Sequence, residues 1–184
     1  MKTRIVTWLA MMASACLFAS SAHAAEPWQT LKGCRLVESA SNDGDNFRVR
    51  WKEKEFTVRI YFVDALEVYT SQRDLIKAQA SYFGIPVGQA VAAGKMAREF
   101  TRKHLQGGFN VKTRWQGVFG GKDAARKYGL VSVGGEDLAE LLVANGLARI
   151  QGMGIEGQTQ AEVARLRQLE KRAKAGKRGA WGME

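Results

Sequence analysis

Three short stretches in the first part of the chain alternate hydrophobic and polar residues, a pattern that is typical of half-buried β-strands. In the second stretch, Phe47, Val49 and Trp51 fall on one face. Because Lys52-Glu53-Lys54 separates the second stretch from the third, we expect a hairpin there. The predicted strands are residues 34–38, 46–51 and 55–63.

After Glu67 the spacing of hydrophobic residues changes to the three and four that a helix requires. Ser71 followed by Asp74 resembles a capping box and predicts a helix start. Residues 92–105 show the same helical spacing, and the proline-containing segment 84–88 predicts a break between two helices.

The rest of the chain repeats this order of strands followed by helices. Strands are predicted at residues 109–115 and 128–133, with a glycine-rich basic loop at 117–126 between them. One helix is predicted over residues 137–144, and a capping box that begins at Thr159 predicts a second. This order of elements predicts a single α+β domain built on a small β-barrel.

The first residues have the pattern of a cleavable signal peptide. Lys2 and Arg4 supply a positive end, and residues 5–19 form an uncharged and largely apolar run. Ala22-His23-Ala24 then supplies the small residues of a cleavage site. We therefore expect residues 1–24 to be a signal peptide.

The mature chain would then be residues 25–184, and we expect it to be secreted or periplasmic. Acylation at Cys16, which would make the protein a lipoprotein, is the alternative. No later segment approaches the ~20 consecutive apolar residues that a membrane span requires, so we expect no span in the mature chain.

The composition favours one folded domain with a basic surface. The chain has 184 residues, of which 46% are hydrophobic, and its formal net charge is +10. These figures exclude intrinsic disorder, collagen and small disulfide scaffolds. The positive charge favours a polyanionic partner, either nucleic acid or an anionic membrane surface.

The supply of cysteine and histidine limits the chemistry. Beyond the predicted leader, only Cys34 and His104 remain. An internal disulfide, a Cys/His zinc site and a pair of catalytic histidines are therefore excluded within one mature chain. Any catalysis must depend on carboxylates and arginines.

Two short segments carry acids that could act together. Asp43-Gly44-Asp45, taken alone, is a common turn sequence. A strand that ends at Asp64 can project Asp64 and Glu67 at one end of a barrel, where Asp45 can join them. Two unit charges ~5 Å apart repel by about 3 kcal/mol at an effective dielectric near 20, so the group needs arginines or a cation. Oxygen ligands of this kind suit a hard cation.

The segment Asp43-Gly44-Asp45, followed by Arg59, Asp64 and Glu67, resembles the signature of staphylococcal-nuclease-like proteins (thermonucleases). The resemblance extends over residues 33–181 and includes Asn145-Gly146-Leu147-Ala148 and the terminal Gly179-Ala180-Trp181. It implies an α+β fold with a five-stranded OB-fold β-barrel and three to four packed helices.

The resemblance also implies functional roles. Asp45 and Asp64 would bind Ca²⁺, with the backbone carbonyl of Ala65 as a further ligand. Glu67 would be the general base that activates water, and Arg59 would hold the scissile phosphate.

The family uses a second arginine just before the last barrel strand. Aligning its Lys-Tyr-Gly triplet with Tyr128-Gly129 would place Leu130 at that position. Counting back without gaps from Gly146 instead places Arg126 there, and this register keeps the lengths of the strand and the helix intact. We therefore expect Arg126 to be the second catalytic arginine.

The sequence also departs from the family pattern. Residues that hold a terminal phosphate in the family are replaced here by Asp123 and Ala124, and two tyrosines that flank the bound base are replaced by Gly152 and Gly154. The segment 69–94 is longer than its family counterpart.

These features predict an exported, Ca²⁺-dependent nuclease that hydrolyses DNA and RNA to 3′-phosphate products. Its main rival is a non-catalytic OB-fold module that binds nucleic acid. A third interpretation, a basic protein that adheres to membrane or envelope polyanions, explains the charge but not the carboxylates and arginines. DNA and RNA are the expected partners, and the sequence implies no stable protein partner.

Overall fold

A computed structural model describes residues 26–118, 125–155 and 158–183. The predicted signal peptide, residues 1–24, lies outside the described residues, as do Asp123 and Ala124. The described residues form eight β-strands and four α-helices. The strands are β1 Gln29–Leu36, β2 Asn46–Trp51, β3 Lys54–Ile60, β4 Val63–Ala65, β5 Phe109–Gly117, β6 Arg126–Val133, β7 Glu136–Asp137 and β8 Ala148–Ile150. The helices are α1 Arg73–Phe83, α2 Val87–His104, α3 Leu138–Ala144 and α4 Thr159–Ala175.

Five strands close into a mixed barrel. Neighbouring strands pair antiparallel in the order β3-β2-β1-β5-β6, and β7 extends the sheet beyond β6. The barrel closes where β3 and β6 pair in parallel, with Arg59 opposite Tyr128 and Ile60 opposite Gly129. The predicted α+β fold, a five-stranded OB barrel with helices, is confirmed.

The barrel interior is filled by the alternating apolar residues of its strands. Phe47 and Val49 from β2 and Val58 and Ile60 from β3 are all buried in one core. Gly129 on β6 is required here, because a Cβ atom at this position would lie 2.9 Å from a methyl group of Val111. The alternating apolar residues in the sequence therefore mark the face of the strand that points into the barrel.

A second, smaller core lies between α1 and α2 and the segment after β4. It contains Leu66 together with Ile76, Ala80 and Phe83 of α1 and Ala93 of α2. This core fixes the backbone of residues 66–68, all of which are buried. The two helices therefore hold the segment that carries Glu67.

The third predicted strand is shorter than expected. It ends at Ile60, because Phe62 adopts a left-handed backbone conformation with φ of 68° that interrupts the extended chain. The chain then resumes as β4, which pairs antiparallel with β8 in a separate two-stranded sheet. Strand β1 also begins at Gln29, earlier than predicted.

The two predicted capping boxes are wrong. Helices α1 and α4 have Gln72 and Gln158 at their N-cap positions, and neither side chain caps its helix. The hydroxyl of Thr159 instead donates to the carbonyl of Ile155. The side chain of Asp137 does cap a helix, since it accepts hydrogen bonds from the second and third residues of α3.

Among the described residues, no helix combines the length and hydropathy that crossing a membrane requires.

Candidate active site

The guanidinium of Arg59 lies between two carboxylates. Its Nη1 donates to Oδ1 of Asp45 at 2.6 Å, and its Nη2 donates to Oδ1 of Asp64 at 2.7 Å. The side chains of Asp45 and Asp64 are 1% and 8% exposed, whereas that of Arg59 is 19% exposed. Burial works against the charged form of Arg59, but Asp45 and Asp64 outweigh it and raise the pKa of the guanidinium above its ordinary value.

The turn before β2 positions Asp45. Oδ1 of Asp43 accepts hydrogen bonds from the backbone N–H groups of Asp45 and Asn46, at 3.2 and 2.7 Å, which closes a turn of the kind that aspartate favours. Oδ2 of Asp45 in turn accepts from the N–H of Ala65 at 2.7 Å. The first acidic segment is thereby joined to β4.

Gly44 allows this turn to pack closely against its neighbours. A Cβ atom at this position would lie 2.7 Å from the Cβ of Ala65 and 2.9 Å from that of Ala97 in α2. The hydroxyl of Thr101 also donates to the Gly44 carbonyl at 2.6 Å. The Asp-Gly-Asp sequence therefore does more than turn the chain, because its glycine brings the turn, β4 and α2 together.

Asp64 and the Ala65 carbonyl are held by two residues that sequence reasoning missed. Oδ2 of Asp64 accepts from Nε of Arg149 at 2.7 Å and from Nε2 of Gln79 at 3.0 Å. The same Nε2 donates to the Ala65 carbonyl at 2.8 Å. The available signals were weak: Gln79 interrupts the apolar face of α1, and Arg149 interrupts the apolar run 147–150.

Glu67 is almost fully buried beside this cluster. Glu67 as a whole residue is 9% exposed, and its backbone N–H donates to Oε1 of Gln79 at 2.9 Å. Burial raises the pKa of the Glu67 carboxyl to about 7, the charges of Asp43 and Asp64 add to the rise, and Arg59 and Arg126 oppose it. The Glu67 carboxyl can therefore gain or lose a proton close to neutral pH.

Arg126 is exposed at the first position of β6, opposite Thr57 of β3. It lies close enough to Glu67 for its charge to lower the pKa of that carboxyl. Leu130, the residue that the alternative register selects, is partly buried and packs against the barrel core. The structure thus brings Asp45, Ala65, Asp64 and Arg59 into contact, with Glu67 beside them and Arg126 within electrostatic range of Glu67.

The oxygen atoms that the resemblance assigns to Ca²⁺ are two carboxylates and a backbone carbonyl, which are ligands that this ion prefers. The Oδ1 atoms of Asp45 and Asp64 converge on one guanidinium, and each accepts one hydrogen bond from it, whereas a carboxylate oxygen has two lone pairs. The donor set therefore fits a hard cation beside Arg59. Among the described residues, no group of three or more His, Cys, Asp or Glu side chains is arranged to hold a metal ion.

The two family departures that fall on described residues line a cleft. Gly152 and Gly154 line a cavity of about 340 Å³ together with Phe62, Tyr82 and Arg167. The long segment 69–94 forms α1, the turn after it and the start of α2. The cleft therefore stands where the resemblance implies flanking tyrosines, and α1 supplies the contacts of Gln79.

A model of the staphylococcal nuclease homologue family matches residues 57–183. The match includes Arg59, Asp64, Glu67 and Arg126, whereas Asp45 precedes it. The family is nuclease-like and hydrolytic, with nucleic acids as substrates and a general dependence on Ca²⁺. Because the match spans more than half of the sequence and the barrel has the expected architecture, the chain belongs to the staphylococcal nuclease homologue family.

Proposed function

We propose that this chain is an exported, Ca²⁺-dependent nuclease that hydrolyses phosphodiester bonds of DNA and RNA and leaves 3′-phosphate products. One observation carries the proposal: Arg59 lies between the carboxylates of Asp45 and Asp64, with Glu67 buried beside them. A surface that only binds nucleic acid gains nothing from buried carboxylates next to its arginine, since they repel phosphate. A hydrolytic site needs both a base and cationic groups.

Glu67 is the general base in this proposal. Water gives a proton to its carboxylate while the water oxygen forms a bond to phosphorus. The P–O5′ bond breaks, the 5′ oxygen takes up a proton from solvent, and the phosphate stays on the 3′ side. A base whose pKa lies near 7 suits this step, because general bases work best when their pKa is close to the working pH.

Arg59 and Arg126 hold the phosphate in this proposal. A guanidinium presents a fork of N–H donors that matches two phosphate oxygens, and it stabilises the charge that builds up in the transition state. Its two carboxylate partners already orient Arg59, and part of its side chain remains exposed. Arg126 carries a second positive charge at the exposed end of β6.

Asp45, Asp64 and the Ala65 carbonyl are the groups that would hold Ca²⁺. The bound ion would neutralise a phosphate oxygen and the acidic cluster together. The chain's own residues supply the base and the two guanidinium groups.

Export is proposed from the N-terminal sequence. The positive end, the apolar run and Ala22-His23-Ala24 support removal of residues 1–24. N-terminal sequencing of the protein recovered from the medium or periplasm should begin at residue 25. A chain that retains residues 1–24, or that carries a lipid on Cys16, would overturn this part.

The activity test uses mature protein with plasmid DNA and with RNA, in the presence of Ca²⁺ or of chelator. We expect degradation with Ca²⁺, none with chelator, and a loss of about 10²- to 10⁴-fold in Glu67→Gln. The products should carry 3′-phosphates, which end-labelling detects. Binding without degradation by the wild type would instead support the rival OB-fold module.

A further inference from the structure

Gln79 is a polar residue on the apolar face of α1. Its side chain is 0% exposed, and its helical neighbours Ile76, Ala80 and Phe83 belong to the second core. Burying an amide is unfavourable unless its donors and acceptor are paired. A hydrophobic residue would fill this position at lower cost if packing were its only role.

The amide of Gln79 is fully paired, and all of its partners lie in the segment 64–67. Nε2 donates to Oδ2 of Asp64 at 3.0 Å and to the Ala65 carbonyl at 2.8 Å, and Oε1 accepts from the Glu67 N–H at 2.9 Å. Its orientation is unique, because a backbone N–H can only donate whereas a carbonyl and a carboxylate oxygen accept.

We propose that Gln79 is a positioning residue for the nuclease site. It joins α1 to the carboxylate of Asp64, the carbonyl of Ala65 and the backbone of Glu67, and it thereby sets the direction in which the Glu67 carboxylate points. This role rests on the proposed function, which assigns the general base to Glu67. It also gives a purpose to α1, which belongs to the segment that is longer than its family counterpart.

The hydrogen bonds define how each substitution acts. Gln79→Leu keeps most of the volume, but it leaves the Glu67 N–H without its acceptor and removes one donor each from the Ala65 carbonyl and from Oδ2 of Asp64. Gln79→Glu keeps the shape but turns a carboxylate oxygen toward Asp64 and the Ala65 carbonyl, which repel it. Both variants release the segment 64–67 from α1 by different means.

The kinetic test compares these variants with Ile76→Ala, a control that removes packing from the same face of α1. All proteins are assayed with Ca²⁺ and DNA at a temperature at which circular dichroism shows each of them folded. We expect kcat to fall by about 10- to 100-fold in both Gln79 variants, with KM within about twofold of wild type. Ile76→Ala removes packing but keeps the three hydrogen bonds of Gln79, so kcat should fall less in this variant than in either Gln79 variant. An equal loss of kcat in Ile76→Ala, or an unchanged kcat in the Gln79 variants, overturns the proposal.

A coupling test addresses the route of the effect. If Gln79 acts through Glu67, then Gln79→Leu should add no further loss in the Glu67→Gln background. Losses that multiply in the double variant would show that Gln79 acts independently of Glu67, which contradicts the proposal.

Hydrogen exchange of the Glu67 amide tests the same contact without any catalysis. We expect this amide to exchange at least about tenfold faster in Gln79→Leu than in wild type or Ile76→Ala, because only Gln79→Leu removes its acceptor. Unchanged protection overturns the positioning role. A wild-type protein that does not cleave nucleic acid overturns the proposed function instead, and the exchange result still decides whether Gln79 fixes the segment.

Discussion

Asp64 and Arg149 face each other across the pair of strands β4 and β8, and Nε of Arg149 lies 2.7 Å from Oδ2 of Asp64. Their side chains are only 8% and 6% exposed. Arg149 therefore joins Arg59 in compensating the buried charge of Asp64. Through this contact, the strand that leads to α4 also supports the candidate active site.

Removing the Arg149 charge should destabilise the fold. Arg149→Met leaves Asp64 with one guanidinium partner fewer in a buried setting, so we expect a loss of about 3–5 kcal/mol in the free energy of unfolding. Urea denaturation measures this loss. The matched control is Arg165→Met, which breaks an exposed ion pair with Glu140 and should cost at most about 1 kcal/mol. Equal losses in the two variants would contradict the structural role of Arg149.

The stability of the metal-free protein should depend on the titration of Glu67. The pKa of the Glu67 carboxyl is about 7 in the folded protein, whereas its ordinary value is 4.5. At a pH between these two values, the carboxyl has lost its proton in the unfolded chain but keeps it in the folded protein. Stability therefore falls as pH rises from about 4.5 to about 7, and this part of the dependence is absent in Glu67→Gln.

Melting temperatures in chelator at several pH values test this dependence. The melting temperature of Glu67→Gln should rise relative to that of the wild type from pH 4.5 to pH 7. Above pH 7, the difference between the two melting temperatures should remain constant. Other titrating groups are present in both proteins, so most of their effect cancels in the comparison. A difference between the two proteins that does not change with pH would show that the folded pKa of Glu67 is not raised.

Gly94 lets α2 approach the backbone of the segment that carries Glu67. A Cβ atom at this position would lie 2.2 Å from the Glu67 carbonyl oxygen, whereas one at Gly88 of the same helix would meet nothing within 4 Å. Gly94→Ala should destabilise by about 1–3 kcal/mol or more and lower activity, because the clash exceeds the gain in helix propensity of up to about 1 kcal/mol.

The paired variant Gly88→Ala should be neutral or slightly stabilising and keep wild-type activity. Thermal denaturation and the nuclease assay together separate the two positions. If Gly94→Ala were as stable and active as Gly88→Ala, then α2 would not pack closely on Glu67.

Arg126 should matter for turnover and not for folding. It is exposed at the start of β6, so Arg126→Ala should keep the melting temperature while kcat falls by about 10²- to 10³-fold, as when a donor to the transition state is removed. The control Lys112→Ala removes an exposed positive charge from the adjacent strand β5 and should leave kcat near the wild-type value. A fully active Arg126→Ala would show that the alignment without gaps is wrong in this loop.

The barrel is largely predictable from the sequence because each strand has a buried face. Strand β2 has the bounds that its alternation predicts, since Phe47 and Val49 point into the core. Strands β4 and β8 escape prediction, because three residues give no period and Val63, Asp64 and Ala65 are all buried. The end of β3 also escapes, because the left-handed backbone of Phe62 leaves no mark in the hydrophobic pattern.

The candidate site is predictable only in part. Asp45, Arg59 and Asp64 stand at spacings that a known family signature reveals, and the structure places them in contact. The partners Gln79 and Arg149 come from distant parts of the chain, and their contacts depend on how α1 and β8 dock. Local sequence patterns give only weak signals of such docking, so these two residues were found only in the structure.

The parallel pairing of β3 with β6 determines when the residues of the candidate active site come together during folding. Asp45, Arg59 and Asp64 belong to one continuous N-terminal region, but Arg126 reaches them only when the far end of the barrel meets Thr57. Pairing of strands so distant in the chain is slow, because a long loop must be closed before any contact rewards it. A polypeptide whose barrel is still open therefore lacks the second arginine of the candidate site, and the proposed activity would appear only after β3 and β6 have paired.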